Sequence, residues 1–328
     1  MPANLTPDYD RADLAYKAAT TDEARILALR EMYATIPKHK GTEKLQADIK
    51  HKLSQLRKAE SKKPSRGPDP FYIPRSGAGQ VVLIGTPNVG KSLLVAKTTH
   101  APVKVAEFPF TTVLPVPGMA STDDVQIELI DTPPVTADHV PTGLMGTINL
   151  ADIIAIVVDA SEDSLEEVET VMGLLESRGL ILKSLPHNEL DPSTGNEHTA
   201  LIVANKIDLA AKDNVDTLRE LYHERLEVCP ISAETGEGVP QLLHRFWELL
   251  ACIRVYTREP GQHHDTGKPF VLELGATVED LATHIHQDLP SRMKFARIWR
   301  EGAGAHFQGQ PVHRTEVLLD KDIVEIHQ

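Results

Sequence analysis

The sequence of 328 residues contains little cysteine, few aromatic residues and no long apolar run. Its two cysteines, Cys229 and Cys252, lie far apart, which excludes a disulfide framework and fits a reducing compartment. No run of about 18 apolar residues occurs, so we expect no membrane-spanning helix and no membrane partner. The first ten residues (MPANLTPDYD) lack a basic-then-apolar signal pattern, so we expect a cytoplasmic protein.

The charge of the chain is unevenly distributed. The formal net charge is −13, yet residues 38–66 contain ten Lys/Arg and three Asp/Glu, a local sum of +7. The remainder therefore sums to −20. A basic segment on an acidic protein suits a polyanion such as RNA, but a solvated lysine-rich helix has the same composition, and both interpretations stay open.

The most informative motif is GTPNVGKS at residues 85–92, between the apolar run QVVLI and the sequence SLLVAK. It matches the phosphate loop G-x-x-x-x-G-K-[ST], in which backbone N–H groups and a helix N-terminus hold phosphate oxygens. We expect Lys91 to reach the terminal phosphates and Ser92 to offer a hydroxyl to Mg²⁺. The candidate nucleotide contacts here are Gly85, Thr86, Pro87, Asn88, Val89, Gly90, Lys91 and Ser92.

A second motif, NKID at residues 205–208, indicates a guanine base. A carboxylate at Asp208 can accept two hydrogen bonds from guanine, and adenine lacks that donor pair. We expect Asn205 to brace the loop and touch the base, and Lys206 to lie over its face. A further base-side segment follows at Ser232, Ala233 and Glu234, where the N–H near Ala233 is expected to meet the guanine O6.

Together these motifs resemble a translation-factor-type GTPase of the Obg/DRG family. The most specific stretch is FPFTTVLPVPGM at residues 108–119, which is similar to the first switch of that family. The resemblance implies that Thr112 binds Mg²⁺ with Ser92 and Asp131, where Asp131 of the DTPP sequence holds a Mg²⁺-bound water. Phe110 and Thr111 are further candidate nucleotide contacts, and Lys91, Thr112 and Asn88 are the candidate catalytic residues.

The chain departs from the family pattern D-x-P-G at the second switch. Pro134 stands where glycine is expected, and because proline has no N–H, the usual contact with the γ-phosphate should be missing or rebuilt. Val135 follows where many small GTPases carry a water-orienting glutamine, so we expect slow hydrolysis. Asn88 has two interpretations of equal weight: it helps to hold K⁺ in the transition state, or it only tolerates a turn.

Alternating apolar and helical patterns predict three parts. Residues 1–74 form a helical region with a hairpin, and residues 79–251 form an α/β P-loop GTPase domain whose mostly parallel sheet has helices on both faces. Strands are predicted at residues 81–84, 125–130, 153–158 and 200–204, with a short one ending near Pro230. Residues 159–169 are expected to form a solvated acidic helix face, and residues 185–199 an exposed loop.

Residues 252–328 resemble a TGS domain, which implies a small ubiquitin-like α+β fold. Thr277 and Asp280 predict a capped helix start. Arg292, Lys294, Arg297 and Arg300 alternate with Phe295 and Trp299. This pattern suits either stacking on RNA bases or an edge strand with a charged outer face, and we favour the edge strand for the two rings.

The expected function is a GTPase that hydrolyses GTP to GDP and acts as a slow, Mg²⁺-dependent switch on the ribosome or another RNA assembly. Stimulation by K⁺ depends on the first interpretation of Asn88. The alternative is an adaptor that binds GDP and GTP alike and turns over negligibly, because Pro134 removes γ-phosphate sensing. No DNA-binding-like insertion follows the second switch, so we expect no DNA partner.

Overall fold

The structure is a computed structural model that describes residues 7–18, 22–36, 42, 45–46, 48–52, 70–99, 114–137, 139–162, 164–258, 268–300 and 308–328. Residues 1–69 and residues 70–328 form two separate compact units. Among the predictions, those for Phe110, Thr111 and Thr112 lie outside the described residues, as does most of the basic segment at residues 38–66.

The first unit is helical, as predicted. Helix α1 spans Pro7–Ala18 and helix α2 spans Asp22–Thr35, and residues 48–52 are helical as well. Both named helices begin where a threonine precedes proline or an acid, which are favoured residues of a first turn. Their apolar faces meet in a small core of Tyr9, Ala12, Leu29, Met32, Ile36 and Ile49.

The second unit begins with a seven-stranded sheet whose order is β2-β3-β1-β4-β6-β5, with β7 also paired to β6. All neighbours are parallel except the hairpin of β2 and β3. The strands are β1 (Gln80–Ile84), β2 (Val116–Thr122), β3 (Val125–Asp131), β4 (Ile153–Asp159), β5 (Ile181–Lys183), β6 (Glu197–Asn205) and β7 (Val228–Pro230).

Helices cover both faces of this sheet. They are α3 (Lys91–Thr98), α4 (Leu144–Leu150), α5 (Ser164–Ser177), α6 (Lys212–Tyr222) and α7 (Val239–Leu250), with a short 3₁₀ helix at His187–Glu189. Two separate buried clusters result, one containing α3 and α7 and the other containing α4, α5 and α6. Strand β4 is buried at every residue because it is covered on both sides.

The final part is a five-stranded sheet of order β11-β10-β12-β8-β9 packed on two helices. The elements are β8 (Cys252–Thr257), β9 (Phe270–Glu273), α8 (Val278–Ile285), α9 (Leu289–Arg292), β10 (Phe295–Trp299), β11 (Gln308–Val312) and β12 (Asp322–His327). The predicted cap of α8 is present: the Asp280 N–H donates to Thr277 Oγ1, and the Thr277 N–H donates to Asp280 Oδ2.

Arg254 connects the two sheets of this unit. It lies on β8, is 7% exposed, and donates to Asp320 Oδ2 at 2.6 Å and to Asp124 Oδ1 at 3.0 Å. Asp124 lies in the turn between β2 and β3, and it also accepts a hydrogen bond from the Tyr256 hydroxyl. The hairpin of the first sheet is thereby tied to the second sheet by charged hydrogen bonds.

Two predictions differ from the structure. The loop at residues 185–199 is shorter than predicted, because β6 already begins at Glu197. Strand β10 is an interior strand rather than an edge strand, since it pairs with β11 and β12. The His327 ring stacks on the Phe295 ring with centroids 4.3 Å apart, and the Arg258 guanidinium lies 3.9 Å from the centroid of the Trp299 ring. Neighbouring residues therefore already cover these two rings.

Both cysteines are free thiols that are partly buried. Burial raises the pKa of the Cys229 thiol to about 12 and the pKa of the Cys252 thiol to about 11. Among the described residues, no helix has the length and hydropathy needed to cross a bilayer, and no cluster of three or more His, Cys, Asp or Glu side chains is arranged to hold a metal ion.

Candidate nucleotide-binding site

The predicted phosphate loop lies between the carboxyl end of β1 and the start of α3, where parallel α/β sheets place their ligands. Gly90 has φ +96°, and a Cβ there would lie 2.3 Å from the Asn205 side chain, so only glycine fits. Asn88 is exposed and has φ +66°, a left-handed conformation that asparagine tolerates. The geometry therefore agrees with the turn interpretation of Asn88 and says nothing about K⁺.

Lys91 is enclosed by its own loop. It is 6% exposed, and Nζ donates to the carbonyl oxygens of Gly85 and Thr86, both at 2.9 Å. Burial lowers the pKa of Lys91 to about 8, although the carboxylates of Asp131 and Glu167 act in the opposite direction. A buried ammonium held by two neutral carbonyls is a favourable partner for an anionic phosphate.

Ser92 and Asp131 come together as the sequence predicts. Ser92 Oγ donates to Asp131 Oδ2 at 2.6 Å, and Asp131 lies at the end of β3, which neighbours β1. One hydroxyl and one carboxylate fit Mg²⁺, which keeps several waters and takes few protein ligands besides phosphate oxygens. The third predicted ligand, Thr112, lies outside the described residues.

The start of the second switch offers no backbone donor over three positions. Pro133 and Pro134 have no N–H, and the Val135 N–H donates to the Gly85 carbonyl at 3.1 Å. The Val135 side chain is fully buried among Ile130, Leu144 and other apolar residues. It therefore points into the core, where it cannot orient a water molecule.

Asn205 joins the phosphate loop to the predicted base segment. Its Nδ2 donates to the Val89 carbonyl at 2.7 Å, and its Oδ1 accepts from the Ala233 N–H at 2.9 Å. These two hydrogen bonds are the geometry expected of a side chain that braces the loop. The Ala233 N–H differs from the prediction, because the Asn205 side chain takes the hydrogen bond that was expected to reach the guanine O6.

The other base-side residues lie around the end of β6. Asp208 is exposed, Lys206 has φ +65°, and Lys206 Nζ forms an ion pair with Asp159. Ser232 is buried and its Oγ accepts from the Thr235 N–H at 3.1 Å, which shapes the turn. Glu234 is exposed and lies 3.4 Å from Lys97 Nζ. These residues thus lie on the same edge of the sheet as the phosphate loop.

The sequence interpretation missed two residues beside the loop. Asp159 is 4% exposed at the end of β4, and Glu167 of α5 accepts from the Thr86 hydroxyl. The expectation that residues 159–169 form a solvated face holds for Glu162, Glu166 and Glu169, and is wrong for these two. A signal was present, since Asp159 follows an apolar strand just as Asp131 and Asn205 do.

Two family models match parts of the chain, and proteins of known sequence are similar to most of it. The family model described as 50S ribosome-binding GTPase matches residues 80–184, and the TGS domain model matches residues 253–328. Developmentally-regulated G-protein 1 of Arabidopsis thaliana is 27% identical over 92% of this chain and 90% of its own length. An uncharacterized GTP-binding protein of Methanocaldococcus jannaschii is 25% identical over 93% of this chain and 92% of its own length.

Solved structures are similar over smaller parts of the chain. A variant of Era from Aquifex aeolicus bound to GDP and AlF₄⁻ covers 70% of this chain and 75% of its own, with 20% identity and a TM-score of 0.40. NFeoB from S. thermophilus bound to GDP, AlF₄⁻ and K⁺ covers 51% of this chain and 60% of its own, with 24% identity and a TM-score of 0.38.

Fold and site together define the class: the chain carries a P-loop GTPase domain followed by a TGS domain. More particularly, its relatives include developmentally-regulated G-proteins from Arabidopsis thaliana and Dictyostelium discoideum. These relatives agree with the DRG part of the predicted resemblance, and the Obg part denotes a different branch.

Proposed function

We propose that the protein is a slow GTP-hydrolysing switch of the developmentally-regulated G-protein type. The observation that carries this proposal is the arrangement at one sheet edge of a phosphate loop with a buried lysine, a Ser92–Asp131 pair and an exposed Asp208. The phosphate loop and the Ser92–Asp131 pair hold a triphosphate and its Mg²⁺, and the carboxylate of Asp208 recognises guanine.

In this proposal, hydrolysis is attack of water on the γ-phosphate. Lys91 holds the terminal phosphates and stabilises the charge that spreads over their oxygens. Mg²⁺, held by Ser92 and Asp131 with Thr112, neutralises phosphate charge when bound. Because Val135 is buried, no side chain at that position orients the attacking water, and this supports a low intrinsic rate.

Nucleotide titration of two variants tests the site. Lys91→Ala should abolish tight binding of a fluorescent GDP analogue in Mg²⁺ buffer, since it removes the cation that faces the phosphates. Asp208→Asn should shift preference from GTP toward xanthosine triphosphate, because an amide presents a donor to the extra base carbonyl. An unchanged base preference in Asp208→Asn would refute the role given to Asp208.

A second candidate function is a guanine-nucleotide adaptor with negligible turnover. It is favoured by the donor-free stretch at Pro133, Pro134 and Val135, where γ-phosphate sensing is expected. Equal affinities for GDP and a non-hydrolysable GTP analogue, together with no measurable phosphate release, would select the adaptor. A clear preference for the GTP analogue with measurable turnover would select the switch.

Potassium dependence belongs to the switch proposal. Turnover measured in K⁺ and in Na⁺ buffer should differ if Asn88 helps to hold K⁺, and Asn88→Gly should then remove the difference while preserving the left-handed turn. Equal turnover in both buffers would show that Asn88 serves the turn conformation and does not help to hold K⁺.

The proposed partner is the ribosome or another RNA assembly. Support comes from the match of residues 80–184 to the family of 50S ribosome-binding GTPases and from the basic composition of residues 38–66. Co-sedimentation with ribosomal subunits in GDP and in a non-hydrolysable GTP analogue tests it. Association that depends on the nucleotide and weakens with salt is expected, and its absence in both nucleotides would refute the partner.

A further inference from the structure

A threonine of the phosphate loop and a glutamate of a distant helix meet at one side of the loop. Thr86 Oγ1 donates to Glu167 Oε1 at 2.5 Å. The loop pattern G-x-x-x-x-G-K-[ST] leaves the second position free, so the pattern itself does not require a hydroxyl there. Glu167 lies in the first turn of α5, where the helix dipole favours a carboxylate.

The second oxygen of the same carboxylate holds another part of the site. Glu167 Oε2 accepts from the Asp159 backbone N–H at 2.7 Å. The Asp159 side chain forms the ion pair with Lys206 and accepts from the Ser161 N–H at 2.9 Å. Asp159 also lies directly across from Asn205 in the pairing of β4 and β6. Glu167 therefore connects the phosphate loop to the strand end that fixes Lys206.

Thr86 is held from both sides. Its carbonyl oxygen accepts from Lys91 Nζ at 2.9 Å, while its hydroxyl donates to Glu167. A carboxylate is an acceptor with two oxygens, so it can satisfy Thr86 and Asp159 at the same time. An alanine at position 167 makes neither contact, whereas a glutamine keeps one acceptor for the Asp159 N–H and turns a donor toward the Thr86 hydroxyl, which then accepts.

We propose that Glu167 is a positioning residue for nucleotide binding, which fixes the Thr86 end of the phosphate loop and, through Asp159, the Lys206 end of the base segment. This inference rests on the proposed nucleotide-binding function. Glu167 restricts the loop before the nucleotide binds, so the loop loses less conformational freedom on binding. A site that is preorganised in this way binds more tightly.

The test is titration of the full-length chain with a fluorescent GDP analogue in Mg²⁺ buffer. Loss of one hydrogen bond to a charged group corresponds to roughly a tenfold weaker affinity, so Thr86→Val should bind about tenfold more weakly than wild type, and Glu167→Ala, which loses both hydrogen bonds, at least about tenfold more weakly. Thr86→Ser keeps the hydroxyl and should stay within about twofold of wild type. The matched control is Glu166→Ala, which removes the same side chain from an exposed neighbour on the same helix and should bind normally.

A double variant separates positioning from general damage. Thr86→Val combined with Glu167→Ala should bind no more weakly than Glu167→Ala alone, because the first change removes an interaction already lost.

Wild-type affinity in Thr86→Val, or losses that add in the double variant, would overturn the inference while leaving the proposed function intact. If wild type itself does not bind the analogue, the proposed function fails and the inference fails with it. If Glu167→Ala does not fold, the Thr86→Ser and Thr86→Val pair decides: equal affinities overturn the inference, and tighter binding by serine supports it.

Discussion

At the scale of single residues, Asn205 has the most central position in the site. Its side chain is 1% exposed and bonds to Val89 on one side and Ala233 on the other. Removal of such a side chain leaves a buried carbonyl and a buried N–H without partners, and each such group costs about 1–3 kcal/mol.

Asn205→Ala should therefore lower the free energy of unfolding by about 2–4 kcal/mol, which urea denaturation can measure. The control is Asn196→Ala, which removes an exposed hydrogen bond from Nδ2 to the Gly179 carbonyl and should cost less than about 1 kcal/mol. Equal losses in the two variants would contradict the bracing role of Asn205.

The residues of the site that could best be predicted are those whose short sequence pattern is required by the backbone geometry. Gly90 was identifiable because only glycine allows its conformation and its close approach to Asn205. Glu167 was not identifiable, because its contact with Thr86 spans 81 residues and depends on how α5 packs against β4.

At the scale of elements, the proposed switch requires that the segment after β3 distinguish GTP from GDP. Pro134→Gly should supply an N–H at the position where the family pattern has one. A hydrogen bond to a charged phosphate contributes about 1.5–3 kcal/mol, so preference for a non-hydrolysable GTP analogue over GDP should rise about tenfold or more.

Isothermal titration of both nucleotides checks this change, with Pro133→Ala as a control that adds an N–H one position earlier. An unchanged ratio of affinities in Pro134→Gly would show that the segment lies too far from the γ-phosphate to sense it.

Arg254 is the residue that ties the two sheets of the second unit together. Its guanidinium bonds to Asp320 and Asp124 and lies 5.4 Å from the Trp247 ring. Removal of one partner of a buried ion pair costs about 3–5 kcal/mol, and because these carboxylates are partly exposed we expect about 2 kcal/mol for Arg254→Met.

Urea denaturation measures this loss, with Arg314→Met as the control, because Arg314 forms only an exposed pair with Glu279 at 3.5 Å. A stability equal to that of wild type in Arg254→Met would show that water replaces these contacts without cost.

At the scale of the whole molecule, stability should depend on the same carboxylates in acid. Burial alone would raise the pKa of Asp124 and Asp320, but hydrogen bonds from Tyr256 and Arg254 to Asp124, and from Arg254 to Asp320, lower it below 3.8. A lowered folded-state pKa contributes stability above the unfolded value, and this is lost as the pH falls through the folded value.

The free energy of unfolding of wild type should thus fall as the pH drops below about 4, and it should fall less in Arg254→Met, where these pKa values are closer to normal. Urea denaturation at pH 7, 4 and 3 compares the two proteins. Parallel curves would exclude these carboxylates as the cause of the acid dependence.

The overall architecture was largely predictable from the sequence. Alternating apolar runs reveal buried parallel strands, and the motifs follow those strands at the edge where ligands bind. The ubiquitin-like order of the last sheet was foreseen through resemblance. The interior position of β10 was not, because pairing partners are set by strands far away in sequence, here β11 and β12.

The two thiols have a practical consequence for experiments. Because the pKa values of Cys229 and Cys252 lie near 12 and 11, both thiols stay protonated at neutral pH, and the thiolate is the form that reacts with maleimides. An exposed cysteine introduced elsewhere on the surface can therefore carry a fluorophore selectively, without prior removal of the native pair.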